Sequence, residues 1–163
     1  MAAPRPGAAS FYAGGGIIEN EIILTIDQDT LKRYEKFYFE QYPRRRKPPI
    51  AHPYHESINV WMILKRPMMN ALKQRWKDFI RWFVDEQGYA NLRIEKCDVH
   101  QCVYYPTNRR HDVDNSVPKF IIDGLVDGGM IVDDDSKHLR KLVLECGVDA
   151  EHPRTELYIT IIG

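Results

Sequence analysis

Residues 109–135 read RRHDVDNSVPKFIIDGLVDGGMIVDDD. The segment holds a basic triplet, an Asp-x-Asp pair, a helix start, a glycine stop and a second acidic cluster. Asn115 or Ser116 suits an N-cap, Pro118 suits a first turn, and Gly128-Gly129 ends the run, so the spacing predicts a helix over 117–126. Val117, Phe120, Ile121 and Leu125 recur at helical spacing and are expected to face a core. Before this helix, residues 92–105 read as a long strand with Val99 and Val103 on one face. After it, residues 139–146 and 155–162 read as two antiparallel strands joined by a polar turn containing Pro153.

Further upstream the clearest element is a helix over 68–86, where Met68, Met69, Leu72, Trp76, Phe79, Ile80 and Phe83 form an apolar stripe. Lys73, Arg75, Lys77 and Arg81 decorate its other faces and read as solvated surface. A second helix is predicted over 31–42, capped by Asp29 or Thr30 and ended by Pro43. Residues 17–26 read as a strand or tight hairpin, and 57–64 as a strand or the lead-in to the long helix. The expected fold is α+β, a mixed β-sheet with packed helices in the approximate order βαβαββ.

With 163 residues the chain supports one core, and a single domain is expected over 17–163. Residues 1–16 read as a flexible tail, extended by the glycines at 14–16. Hydrophobic content of 44% and charged content of 28% are ordinary for a globular protein. No apolar run approaches a membrane span, and the start lacks the basic-then-apolar order of a signal peptide. A cytoplasmic protein is therefore expected. Cys97, Cys102 and Cys146 form no CxxC pair and read as reduced thiols, half-buried in strands. His100 and His111 offer no second close pair, so a zinc site is not expected.

The formal net charge is zero, which argues weakly against a nucleic-acid partner. The charges are nevertheless segregated. Arg44, Arg45, Arg46 and Lys47 form a basic loop between prolines, while acids concentrate over 112–135. Carboxylates at that density repel one another unless a cation sits among them. Mg²⁺ is the natural candidate, with Mn²⁺ as a substitute, because it takes a few hard oxygens together with water and substrate phosphate. Asp112 and Asp114 lie on one side if the backbone there is extended. Arg109, Arg110 and His111 beside them suit a polyanion. Metal-assisted phosphodiester chemistry follows as the functional expectation.

Plainer readings stand beside it. Asp-x-Asp-Asn before a helix also serves as a capping loop, and Lys119, Asp123 and Asp127 also read as an exposed charge ladder. An EF-hand is poor because Val117 occupies the position that needs glycine. A phosphatase of the Asp-x-Asp-x-Thr type wants an apolar strand directly before the first aspartate, where this chain has Asn108-Arg109-Arg110-His111.

Asp112-Val113-Asp114-Asn115, then Lys119, Asp123, Leu125, Gly129 and Asp133-Asp134, resemble the signature of RusA-type Holliday junction resolvases. The resemblance covers roughly residues 109–135. It implies a dimeric, Mg²⁺-dependent endonuclease of bacterial or phage origin that acts on branched DNA. It also implies Asp112, Asp114 and Asp134 as metal ligands with Asp133 beside them, and Lys119 as a catalytic cation. Arg109, Arg110, His111 and the Arg44, Arg45 and Arg46 loop are then the expected DNA contacts. One spacing departs from the pattern: Lys119 follows Asn115 by four residues instead of three. Depending on where the extra residue is absorbed, Lys119 points into the site or is rotated by about 100° to pair only with Asp123. A metal-dependent nucleotide phosphohydrolase and a non-catalytic junction-binding module are the alternative functions.

Overall fold

The computed structural model describes residues 11–13, 16–18 and 20–163. Strand β1 (Phe11–Ala13), in the stretch expected as a tail, pairs antiparallel with β2 (Gly16–Ile18), which starts at that stretch's last residue. Residues 1–10, 14, 15 and 19 lie outside the described residues.

The α+β expectation holds, with more helices than the predicted order. After β2 come β3 (Glu21–Asp27), α1 (Gln28–Gln41), the single turn α2 (Ile58–Trp61), α3 (Arg66–Glu86), β4 (Cys97–Tyr105), α4 (Lys119–Asp127), β5 (Leu139–Val148) and β6 (Arg154–Ile161). Residues 57–64 are thus the lead-in to the long helix. The cap of α1 is Asp27, ahead of the two candidates. Its carboxylate accepts from the Thr30 backbone at 2.9 Å, and the Thr30 hydroxyl closes the reciprocal capping box. Pro67 sits in the first turn of α3, where its missing N–H costs nothing. Met68 departs from the expected stripe and is exposed. Leu72, Trp76, Phe79, Ile80 and Phe83 are buried as their spacing requires.

The four-stranded sheet runs β3-β6-β4-β5. β6 pairs antiparallel with both β3 and β4, while β5 lies parallel to β4. The two closing strands therefore do not form the hairpin expected from sequence, because β4 lies between them. The physical reason is burial. Residues 101–105 of β4 are all buried, so the strand must sit in the interior of the sheet, whereas β5 alternates exposed and part-buried positions as an edge strand does. A parallel β4–β5 pair needs a long crossover. Here the crossover is residues 106–138, the segment that carries the acidic residues.

One face of the sheet holds Leu24, Ile26, Val99, Leu157 and Ile159, which join Leu31 and Tyr34 of α1, the α3 stripe, and Phe120, Ile121 and Leu125 of α4 in a single core. Each such large apolar side chain contributes on the order of 2 kcal/mol on leaving water. The α3–α4 crossing is close. A Cβ at Gly124 would stand 2.5 Å from the Ile80 Cβ. The opposite face carries a smaller cluster of Cys102, Tyr104 and Tyr158 beside a buried polar network. In that network Arg154 donates to Asp149 at 2.8 Å and to Glu156 at 2.9 Å.

Candidate functional site

Three contacts anchor the first half of the segment 109–135. As the chain leaves β4, the His111 ring stacks on Tyr105 with centroids 3.6 Å apart and planes 4° from parallel. Ser116 is then tied to the sheet, where Gln101 on β4, fully buried, donates to its carbonyl at 2.9 Å. Finally, the Phe120 backbone N–H donates to His55 Nε2 at 3.0 Å. Neither Asn115 nor Ser116 caps α4, as the sequence had suggested. Ser116 Oγ instead donates to the Val113 carbonyl at 2.6 Å, inside a 3₁₀ turn over Val113–Ser116. The helix starts at Lys119, two residues later than predicted.

That turn changes the geometry of the aspartate pair. Asp112 is extended, but the chain winds into the 3₁₀ turn immediately after it. Backbone that rotates by about 120° per residue sends side chains two apart in different directions. Asp112 lines a cleft of about 310 Å³ with Tyr105, Arg110, His111, Asn115 and Asn59. It receives Arg110 Nε at 3.4 Å and Asn115 Nδ2 at 3.5 Å. Asp114 is exposed and has no hydrogen bond or ion pair among the described residues.

The second acidic cluster meets α4 through Lys119. Its Nζ lies 3.1 Å from Asp123 Oδ1 and 3.6 Å from Asp134 Oδ2. Lys119 is therefore not rotated away to Asp123 alone. Burial acts to lower its pKa, but the Asp123 hydrogen bond and the charges of Asp123 and Asp134 outweigh it and hold the ammonium above the ordinary lysine range. Asp134 and Asp123 share a concavity of about 210 Å³ with Lys73, Lys77 and Asp127. Asp123 Oδ2 is buried without a hydrogen-bond partner among the described residues and lies 3.8 Å from Lys73 Nζ. Lys73, read from sequence as surface, thus joins the cluster from α3. Its place one face away from the apolar stripe gave no sign of this.

Gly129 closes α4 at φ +80°, and a Cβ there would fall 2.1 Å from the Ala90 carbonyl oxygen. Only glycine fits this return of the chain toward Asp133, Asp134 and Asp135. Asp135 has a structural duty. It accepts from the backbone N–H groups of Lys137 and His138 and pairs with His138 Nδ1 at 2.6 Å. The His138 hydrogen bond is the main cause of its lowered pKa. Asp133 Oδ1 accepts from the Asp134 N–H at 2.7 Å.

Among the described residues, two sets of three donor atoms lie within 4.8 Å of one another: Asp133, Asp135 and His138, and His100, Cys102 and Glu145. Asp112, Asp114 and Asp134 are not such a set. They are nonetheless chemically suited to Mg²⁺, which keeps much of its water and needs only one or two carboxylates beside substrate phosphate. Arg109 and Arg110 are exposed. Arg44, Arg45 and Arg46 lie on a separate exposed loop, where Arg45 covers the Tyr42 ring at 5.3 Å. Arg45, Arg46 and Lys47 line a concavity with Arg75 and Tyr38.

No helix among the described residues is long and apolar enough to cross a membrane. No protein-family model and no curated protein matches the chain.

Proposed function

We propose that the chain is a Mg²⁺-dependent endodeoxyribonuclease of the RusA kind that cuts branched DNA as a homodimer. The observation that carries this reading is the Lys119 ammonium, held between the Asp123 and Asp134 carboxylates at the first turn of α4. A cation fixed by two acids, one turn beyond an Arg-Arg-His-Asp-x-Asp run, is an arrangement suited to a phosphodiester. Asp112, Asp114 and Asp134, with Asp133 beside them, are the ligands for Mg²⁺ or for Mn²⁺ in its place. The bound ion supplies charge neutralisation at the scissile phosphate and a more acidic water.

The side chains do the rest. Arg109, Arg110 and His111 grip the backbone phosphates, and the stack on Tyr105 fixes the His111 ring while they do so. Lys119 has three donors, of which Asp123 takes one, leaving a donor for a phosphate oxygen whose charge grows during cleavage. Arg44, Arg45 and Arg46 form a second contact for the DNA arms. A four-way junction has approximate two-fold symmetry, so a C2 dimer with one site per chain makes paired cuts.

The test incubates the purified chain with a four-way junction, a linear duplex and a nucleoside triphosphate, each with and without Mg²⁺. Nicking of the junction only when Mg²⁺ is present is the expected result. Triphosphate hydrolysis without DNA cleavage identifies a phosphohydrolase instead. Junction retention without any cleavage identifies a binding module.

A further inference from the structure

On the sheet face turned away from the helical core, β4 and β5 bring three unlike donors together. Cys102 stands directly opposite Glu145 in the parallel register, and His100 lies two residues along β4 on the same face. The three contacts use a single atom from each side chain. Cys102 Sγ is 3.6 Å from His100 Nε2 and 3.3 Å from Glu145 Oε2, and those two are 3.3 Å from each other.

We propose that His100, Cys102 and Glu145 form a site for a four-coordinate divalent transition metal of the zinc class, separate from the acidic segment. Tetrahedral bonds of roughly 2.3 Å to sulfur and 2.0–2.2 Å to nitrogen and oxygen set the ligand edges at about 3.4–3.6 Å. The observed triangle matches these edges to within about 0.3 Å, so three corners of a tetrahedron are in place. The fourth corner is left for water or an external ligand, as in zinc sites that keep an open position. A thiol and an imidazole select against Mg²⁺ and for zinc or cobalt, so the two sites sort their metals by ligand softness.

The surroundings suit this role. Cys102 is buried, while the His100 and Glu145 side chains are 26% and 56% exposed and give an ion its route in. The His100 ring lies against Tyr158 at 5.9 Å, and Tyr158 is held by its hydroxyl, which donates to Glu156 at 2.6 Å. On binding, the sulfur releases its proton to solvent and the ion takes that place. The metal then ties the edge strand β5 to the interior strand β4.

Sequence spacing alone gives little hint of the site. His100 and Cys102 are adjacent on one strand face, but Glu145 arrives only through the parallel register. The proposal is independent of the nuclease reading.

The test adds Co²⁺ alone to the purified full chain and then Zn²⁺ in competition. Thiolate-to-cobalt charge-transfer absorption and strong visible d–d bands should saturate at one cobalt per chain, and Zn²⁺ should bleach them. Cys102→Ala should abolish the charge-transfer band, and Cys97→Ala and Cys146→Ala should keep it. His100→Gln and Glu145→Gln should weaken cobalt binding on the order of tenfold or more. Zinc at about a hundred times its dissociation constant should raise Tm by roughly 5–10 °C. A wild-type chain without the charge-transfer band, or a band that survives Cys102→Ala, overturns the proposal. If Cys102→Ala does not fold, unchanged cobalt affinity in both His100→Gln and Glu145→Gln overturns it equally.

Discussion

His55 Nε2 accepts the backbone N–H of Phe120 across 3.0 Å, so the helix that carries Lys119 is capped by an imidazole 65 residues upstream. The other ring nitrogen, Nδ1, lies 2.7 Å from the Glu56 carbonyl, and the ring stacks on Trp76. Only the neutral tautomer with its proton on Nδ1 satisfies both contacts.

Acid sensitivity follows from that cap. Burial holds the His55 pKa below the ordinary histidine value, against smaller opposing effects of the Glu56 carbonyl and the Glu56 and Asp123 charges. As pH falls through about 6.5, an unfolded chain takes up the proton and the folded chain does not. The stability tied to His55 is complete above that pH. It is lost below it by up to about 1.4 kcal/mol per pH unit, until the folded-state pKa is reached. Melting temperatures measured across this range should show a shallower acid decline in His55→Gln than in the wild type. Equal declines would mean that another group sets the acid limb.

Gly129→Ala should destabilise the chain by about 1–3 kcal/mol, since the backbone is left-handed there and the new methyl meets the Ala90 carbonyl. Urea unfolding should show a lower midpoint with an unchanged slope. A wild-type midpoint would contradict the close approach.

Much of this architecture was legible in the chain. The α3 stripe, the glycine stop after α4 and the α+β class follow from local periodicity and turn chemistry. The strand order did not, because β5 and β6 carry the same local pattern whether they pair with each other or flank β4. The caps were misjudged for a related reason. Asn115 and Ser116 have the right side chains, but the 3₁₀ turn uses Ser116 internally and a distant histidine takes over. Lys73 reaches Asp123 only through the α3–α4 crossing, which no spacing within either helix encodes.

Lys119→Ala should lower the single-turnover rate on a junction on the order of a hundredfold, with little change in DNA affinity. Asp123→Ala removes a hydrogen-bond partner of the ammonium and should slow cleavage less. Wild-type rates for Lys119→Ala would reduce the Lys119 pairs to surface ion pairs.

Replacing Arg109 and Arg110 together by alanine should flatten the dependence of log affinity on log salt by roughly 1–2, since each phosphate contact contributes close to one unit of slope. Fluorescence anisotropy with a labelled junction reads this directly. An unchanged slope would place both guanidiniums away from phosphate.

The most direct measurement is junction nicking in Mg²⁺ by Asp114→Asn, a change that keeps the side-chain shape at an exposed position with no hydrogen bond or ion pair among the described residues. Cleavage should be lost while junction binding is retained or tightened. Cleavage at the wild-type rate, still dependent on Mg²⁺, would contradict it.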